Sequence, residues 1–195
     1  MLSADTLTMS DHSYLSNQLL IAMPTLADDN FSQTVTLICE HTEQGALGII
    51  LNKPLKMCMG EIFDQLSLHS SDTTLCDQLV LWGGPVQPAR GFVIHRAGSL
   101  WDSTLVVSDS IHVTTSRDVL QSIAAGKGPS PMHMVLGYAG WDAGQLEAEM
   151  AQNAWLTAPF NEQILFDTPY DQRWYAAANL LGVNLTTLST LTGHA

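Results

Sequence analysis

From Gln18 onward, short apolar runs alternate with polar turns, and the runs carry two different periods. Leu19 to Met23 is an apolar run stopped by Pro24. Val35 to His41 and Ala46 to Leu51 are β-branched or aliphatic runs on either side of Thr42-Glu43-Gln44-Gly45, which predicts an antiparallel hairpin. The second of them is apolar on both faces, so it is expected inside a sheet, and Gly48 within it marks a bulge or a close backbone approach. Leu79 to Trp82, Gly91 to His95, Thr104 to Val107, Ile111 to Thr114 and Met132 to Tyr138 read as further strands.

Other stretches carry helical spacing. Residues 60–66 put Ile62, Phe63 and Leu66 on one side. Residues 116–126 form a stripe of Val119, Leu120, Ile123 and Ala124, and 142–153 a stripe of Ala143, Leu146 and Met150. In 170–181 the stripe is Trp174, Ala177, Ala178 and Leu181, with Gly182 placed for a left-handed C-cap. Thr115-Ser116-Arg117-Asp118 and Thr168-Pro169-Tyr170-Asp171 have the form of capping boxes, the second with Pro169 at the first helical position. Strands and helices mix without strict βαβ alternation, so the expected class is α+β. Residues 1–16 lack a period and read as a disordered arm. Residues 17–195 read as a single domain, with Ser67 to Asp77 as a surface loop.

Charge narrows the partners. The 195 residues hold 7 Lys plus Arg against 19 Asp plus Glu, a formal charge of −12, and Lys53 is the first basic residue. Nucleic-acid binders take most of their affinity from basic side chains that displace counterions. DNA, RNA and anionic membranes are therefore not the expected partners. Three cysteines, Cys39, Cys58 and Cys76, form no even framework and no C-x-x-C. No membrane-spanning run and no secretory leader are legible, so a reducing cytoplasm is expected.

The familiar reactive signatures do not occur: no P-loop, G-x-G-x-x-G, H-E-x-x-H or G-x-S-x-G. No cofactor, metal site or catalytic residue is therefore assigned. Strand alternation places Cys39 and His41 on one face, where they could pair as nucleophile and base. Ser116 and Asp118 with His95 or His112 could compose a hydrolase triad, but a capping box explains the same spacing. Arg117, at a helix start, could hold a carboxylate or phosphate. Trp82-Gly83-Gly84-Pro85, Arg90-Gly91-Phe92 and Asn52-Lys53-Pro54 are turns whose backbone N–H groups could converge on a small ligand.

Several of these residues lie in blocks that together resemble the YqgE/AlgH family of bacterial proteins. The blocks are ICEHTEQGALGIILNKP (Ile38 to Pro54), WGGPVQPARGFVIHR (Trp82 to Arg96), TTSRDVL (Thr114 to Leu120), LGYAGWDAGQLEAEM (Leu136 to Met150), AWLTAP (Ala154 to Pro159) and ILFDTP (Ile164 to Pro169). The resemblance runs from about Leu19 to Ala195. It implies a mixed, largely antiparallel, bifurcated sheet forming a pseudo-barrel with helices packed against it. It brings no established reaction or cofactor. One branch is called a regulator of alginate synthesis, a label that concerns expression. Glu40, His41, Asn52, Gly83, Gly84, Arg90, Ser116, Arg117, Asp118 and Trp141 fall in these motifs and form the candidate ligand-binding set. The leading expectation is a non-enzymatic, cytoplasmic regulatory protein acting through a protein or small-ligand contact. A hydrolase using His41 or His95 with Cys39 or Ser116 and a DNA-binding regulator are the alternatives.

Overall fold

The structure, a computed structural model, describes residues 14–191. In chain order its strands are β1 (Gln18–Ala22), β2 (Val35–Thr42), β3 (Gly45–Ile50), β4 (Pro54–Cys58), β5 (Leu79–Trp82), β6 (Val86–Arg96), β7 (Thr104–Val106), β8 (Ile111–Thr114), β9 (Met132–Asp142) and β10 (Trp155–Pro159). The helices are α1 (Met59–Gln65), α2 (Thr73–Cys76), α3 (Arg117–Ala124), α4 (Gln145–Ala151), α5 (Glu162–Phe166), α6 (Arg173–Asn179) and α7 (Leu185–Leu191). A short 3-10 turn, Tyr170–Gln172, precedes α6.

The strands lie in the order β10-β1-β2-β3-β9-β6-β8-β7, with β4 on β5 and β5 parallel to β9. Every other pairing is antiparallel. β6 follows one edge of β9, while the other edge is shared: β3 takes Ala139 to Asp142 and β5 takes Val135 and Leu136. The sheet therefore forks at β9, and its curled halves with flanking helices make the expected α+β pseudo-barrel. Three apolar clusters fill the space. One packs Trp174, Ala177, Ala178 and Leu185 of α6 and α7 on the sheet. A second packs α1 and α3 on Val93, Met132 and Met134. The third packs Leu146 of α4 with Trp141, Trp155 and Ile38.

Several local expectations need correction. The hairpin turn is Glu43 and Gln44 alone, because pairing continues to Thr42 opposite Gly45, whose φ is +133°. Ser116 stands at the N-cap of α3, yet it makes no bond to a helix N–H and instead donates to the Asp118 carboxylate. Thr168 likewise turns back to the Gln163 carbonyl, and Pro169 precedes the helical turn rather than opening it. Leu181 lies past the end of α6 and Ala143 before α4, and both are exposed, while Gly182 adopts the expected left-handed φ of +67°. Ser67 to Asp77 contains α2. The arm lies outside the described residues as far as 13. Tyr14, Leu15 and Ser16 dock on His41: the Leu15 N–H donates to its Nδ1 at 3.0 Å, and Ser16 Oγ accepts from its backbone N–H.

Candidate functional site

The pairing of Cys39 with His41 fails because of a β-bulge. Ile38 faces Gly48 and Glu40 faces Leu47 across the hairpin, so Cys39 is the extra residue and the alternation flips after it. Cys39 joins the cluster under α6, whereas His41 turns to the α4 side and bonds Glu147 Oε1 at 3.0 Å. Burial, with the nearby Glu40 charge adding to it, pushes the Cys39 thiol up to about 12, far from nucleophilic.

The triad does not assemble either. His95 is spent on Thr114 Oγ1 and the Arg96 carbonyl, both at 2.9 Å, and burial lowers its pKa. Ser116 Oγ accepts from the Ser103 N–H, and Asp118 accepts from the Asp102 and Val119 N–H groups. The Ser116 hydrogen bond holds the Asp118 carboxyl below its usual pKa. Ser116 and Asp118 thus pin the loop before β7 to the start of α3.

The glycine turn sits at the fork of the sheet. A Cβ on Gly83 would stand 2.3 Å from the Gly137 carbonyl oxygen and 2.5 Å from a Val135 methyl. A Cβ on Gly84, at φ +150°, would meet the Tyr138 backbone at 2.2 Å. The Gly83 N–H donates to Leu136 O and its carbonyl accepts from Ile50 N–H, so these atoms join β3, β5 and β9 rather than face a ligand. Asn52 is spent in the same manner, on the Val35 N–H and the Gln33 carbonyl. Arg90 is exposed over the Phe92 ring, 5.3 Å from its centroid. Glu40 and Trp141 border an open groove with Asp142, but the Trp141 indole N–H is committed to Glu149.

Ser116 and Arg117 are the two of the ten candidates that meet in a cleft with an apolar floor. This cleft, about 490 Å³, lies between α1, α3 and the sheet. Its floor is apolar: Met57, Ile62, Val93, Leu120, Met134 and Leu136. Thr115, Ser116, Arg117 and Gln65 supply its polar groups, and Pro88 and Ala89 form the opposite wall. That wall is a four-residue excursion of β6: Val86 pairs with Tyr138 and Gly91 with Leu136, and Gln87 has a φ of +46°. A Cβ on Gly91 would stand 2.7 Å from the Met134 Cε, so the missing side chain makes room for the Met134 end that lines the floor. Arg117 Nη2 reaches across to the Leu66 carbonyl at the end of α1, 2.6 Å away. Nothing in the local sequence announces this cleft, because four separate stretches build it and most of its lining is ordinary core residues.

A second feature also lay outside the sequence reading. Arg173 is almost wholly buried and has no carboxylate partner among the described residues. It donates to the Leu51 and Thr168 carbonyls and lies over the Tyr170 ring, 4.5 Å from the centroid. His133 lies against it, bonded to Leu165 O at 2.9 Å and to the Gln78 amide. Burial first, and then the Arg173 charge, lowers His133 to about 4. Among the described residues no three His, Cys, Asp or Glu side chains are placed to hold a metal ion, and no helix is long and apolar enough to cross a membrane.

Comparison with known proteins agrees with this architecture. The family model described as AlgH-like matches residues 19–186. A UPF0301 protein of Xanthomonas campestris pv. campestris is 50% identical over 181 residues, covering 93% of this chain and 96% of the relative. One from Nitrosococcus oceani is 49% identical over 187 residues, 96% of this chain and 100% of its own. The solution structure of the AlgH protein from Pseudomonas aeruginosa superposes with a TM-score of 0.77 at 48% identity, covering 95% of this chain and 98% of that one. A crystal structure from Corynebacterium diphtheriae shares the fold alone, with a TM-score of 0.71 at 19% identity over 90% of this chain and 91% of that one. The chain belongs to the YqgE/AlgH family.

Proposed function

We propose that this chain is a non-enzymatic regulatory protein whose working part is the cleft between α1 and α3. The occupant is a small molecule with an apolar body and one hydrogen-bond-accepting group. The carrying observation is the cleft itself: its volume falls within the range of small-molecule sites, roughly 300–1,000 Å³, and its floor is apolar. Gly91 has no left-handed φ that would require glycine, so what the missing side chain supplies is room for the end of Met134, which lines the floor. Arg117 and Thr115 at the rim offer donors to the acceptor group. The occupied state of His41, His95 and Ser116, and the inert thiol of Cys39, support binding over catalysis. The charge of −12 supports a partner other than a polyanion, and a cytoplasmic setting is consistent with three free thiols.

Titration with 1-anilinonaphthalene-8-sulfonate, an apolar body bearing one anionic group, tests the reading. Saturable binding of one probe per chain is expected. Gly91→Val, which pushes the Met134 end out into the cleft, should weaken it at least about tenfold, and Arg117→Met by roughly threefold to tenfold, the worth of one charge-assisted hydrogen bond at a rim. Unchanged binding by a folded Gly91→Val protein rejects the cleft as the site.

A further inference from the structure

We propose that Cys58 and Cys76 are a redox-responsive pair that closes into a reversible disulfide. All three thiols are free, but only these two are partly exposed, Cys39 being buried. Cys58 ends β4 and stands at the N-cap of α1, and Cys76 ends α2, the short helix packed against α1. The segments bearing them run side by side: Cys58 is opposite Leu79, and the Met59 N–H donates to the Gln78 carbonyl at 2.8 Å.

Gly60 supplies the decisive geometry. A Cβ at that position would stand 3.4 Å from the Cys76 Cβ and 3.8 Å from the Cys58 Sγ. One vacant side-chain position therefore touches both cysteines, and nothing from Gly60 intrudes between them. Closing to an S–S bond of about 2.05 Å needs side-chain rotation and a small slide of α2. That slide moves Leu75 and Cys76, which are only partly buried where they pack on the α1–α3 cluster, and the Cys76 Sγ makes only a weak 4.0 Å contact with the Ser70 carbonyl.

The oxidant is a hydroperoxide. One thiolate attacks a peroxide oxygen, the O–O bond breaks, and the sulfur becomes a sulfenic acid as water leaves. The second thiol then attacks that sulfur, forming the S–S bond and releasing a second water. Two electrons and two protons leave the thiols and reduce one hydrogen peroxide to two waters. A thiol reductant reverses the step by exchange. The pair stands independently of the cleft's occupant, although Met57, Ile62 and Leu66 carry the same β4–α1 segment into the cleft wall.

The test treats the reduced full chain with excess hydrogen peroxide, then alkylates it with iodoacetamide under denaturing conditions. The expected product takes one alkyl group instead of three, and before alkylation is about 2 Da lighter. Proteolytic mapping places the link between Cys58 and Cys76, and dithiothreitol restores full alkylation. Cys58→Ser and Cys76→Ser each strand the other cysteine as a sulfenic acid, read by dimedone labelling. Gly60→Val, its fold checked by circular dichroism, slows closure at least about tenfold by placing methyl groups in the gap. Should that variant fail to fold, the two serine variants decide the matter. A link through Cys39, a bond between chains, or full alkylation of Cys58 and Cys76 after peroxide overturns the proposal.

Discussion

His133 binds no proton in the native protein until the solution reaches about pH 4, whereas in the unfolded chain it titrates near the ordinary 6.5. Below 6.5 the unfolded state therefore holds more protons, and stability falls as pH drops from 6.5 toward 4. The loss through this one residue approaches about 3 kcal/mol at pH 4. Urea unfolding at pH 7, 5.5 and 4 should show the decline, and His133→Gln should flatten it. Arg173 contributes to the shift from the adjacent position. Arg173→Met removes that charge and leaves the Leu51 and Thr168 carbonyls without their donor. The expected cost is about 3 kcal/mol or more at pH 7, with the His133 pKa moving back up, as followed by ring-proton NMR. A buried, carboxylate-free arginine is not legible in a sequence, because arginine is almost never fully buried unless paired. The helical stripe of Trp174, Ala177 and Ala178 was legible, and it faces the core.

Among the elements, α4 is fastened by two carboxylates, Glu147 on His41 and Glu149 on a pair of indoles. Glu149 Oε2 accepts from the Trp141 and Trp155 indoles at 2.9 and 2.8 Å, and its Oε1 accepts from the Gln145 amide. Glu149→Ala leaves two indole donors without partners, so a loss of about 3 kcal/mol is expected, with both indole proton resonances moving upfield. The fork of the sheet is equally exacting. Gly83→Ala forces a Cβ onto the Gly137 carbonyl, a backbone atom that cannot swing aside, and should leave little folded protein. Gly98→Ala, with nothing within 4 Å, should be close to neutral by thermal melt. The β2–β3 hairpin was readable from its β-branched runs. The bulge at Cys39 was not, since an extra residue shows only when the partner strand is laid beside it. Strands β4 and β10 were missed because each carries a proline, β4 at its first residue and β10 at its last. Helices α2 and α5, of four and five residues, span too few turns for a 3.6-residue period to register.

For the whole molecule, class and general architecture followed from mixed periodicities and from the family resemblance, but the site did not. The turns that looked like ligand nests, at Gly83-Gly84 and Asn52, are joints of the scaffold, while the cleft gathers side chains from β4, α1, β6, β9 and α3 that carry no signature. Strand β9 also sets a timetable for the molecule. Its eleven residues are the common neighbour of β3, β5 and β6, and they come after all three in the chain, just as β10 comes long after its partner β1. On the ribosome, β1–β2–β3, β4–β5 and β6–β8–β7 can pair as they are made, but the edges of β3, β5 and β6 that meet β9 must wait until residues 132–142 emerge. Closure of the sheet is thus a late step, and until then the edges of β3, β5 and β6 that β9 will cover are open to pairing with other chains.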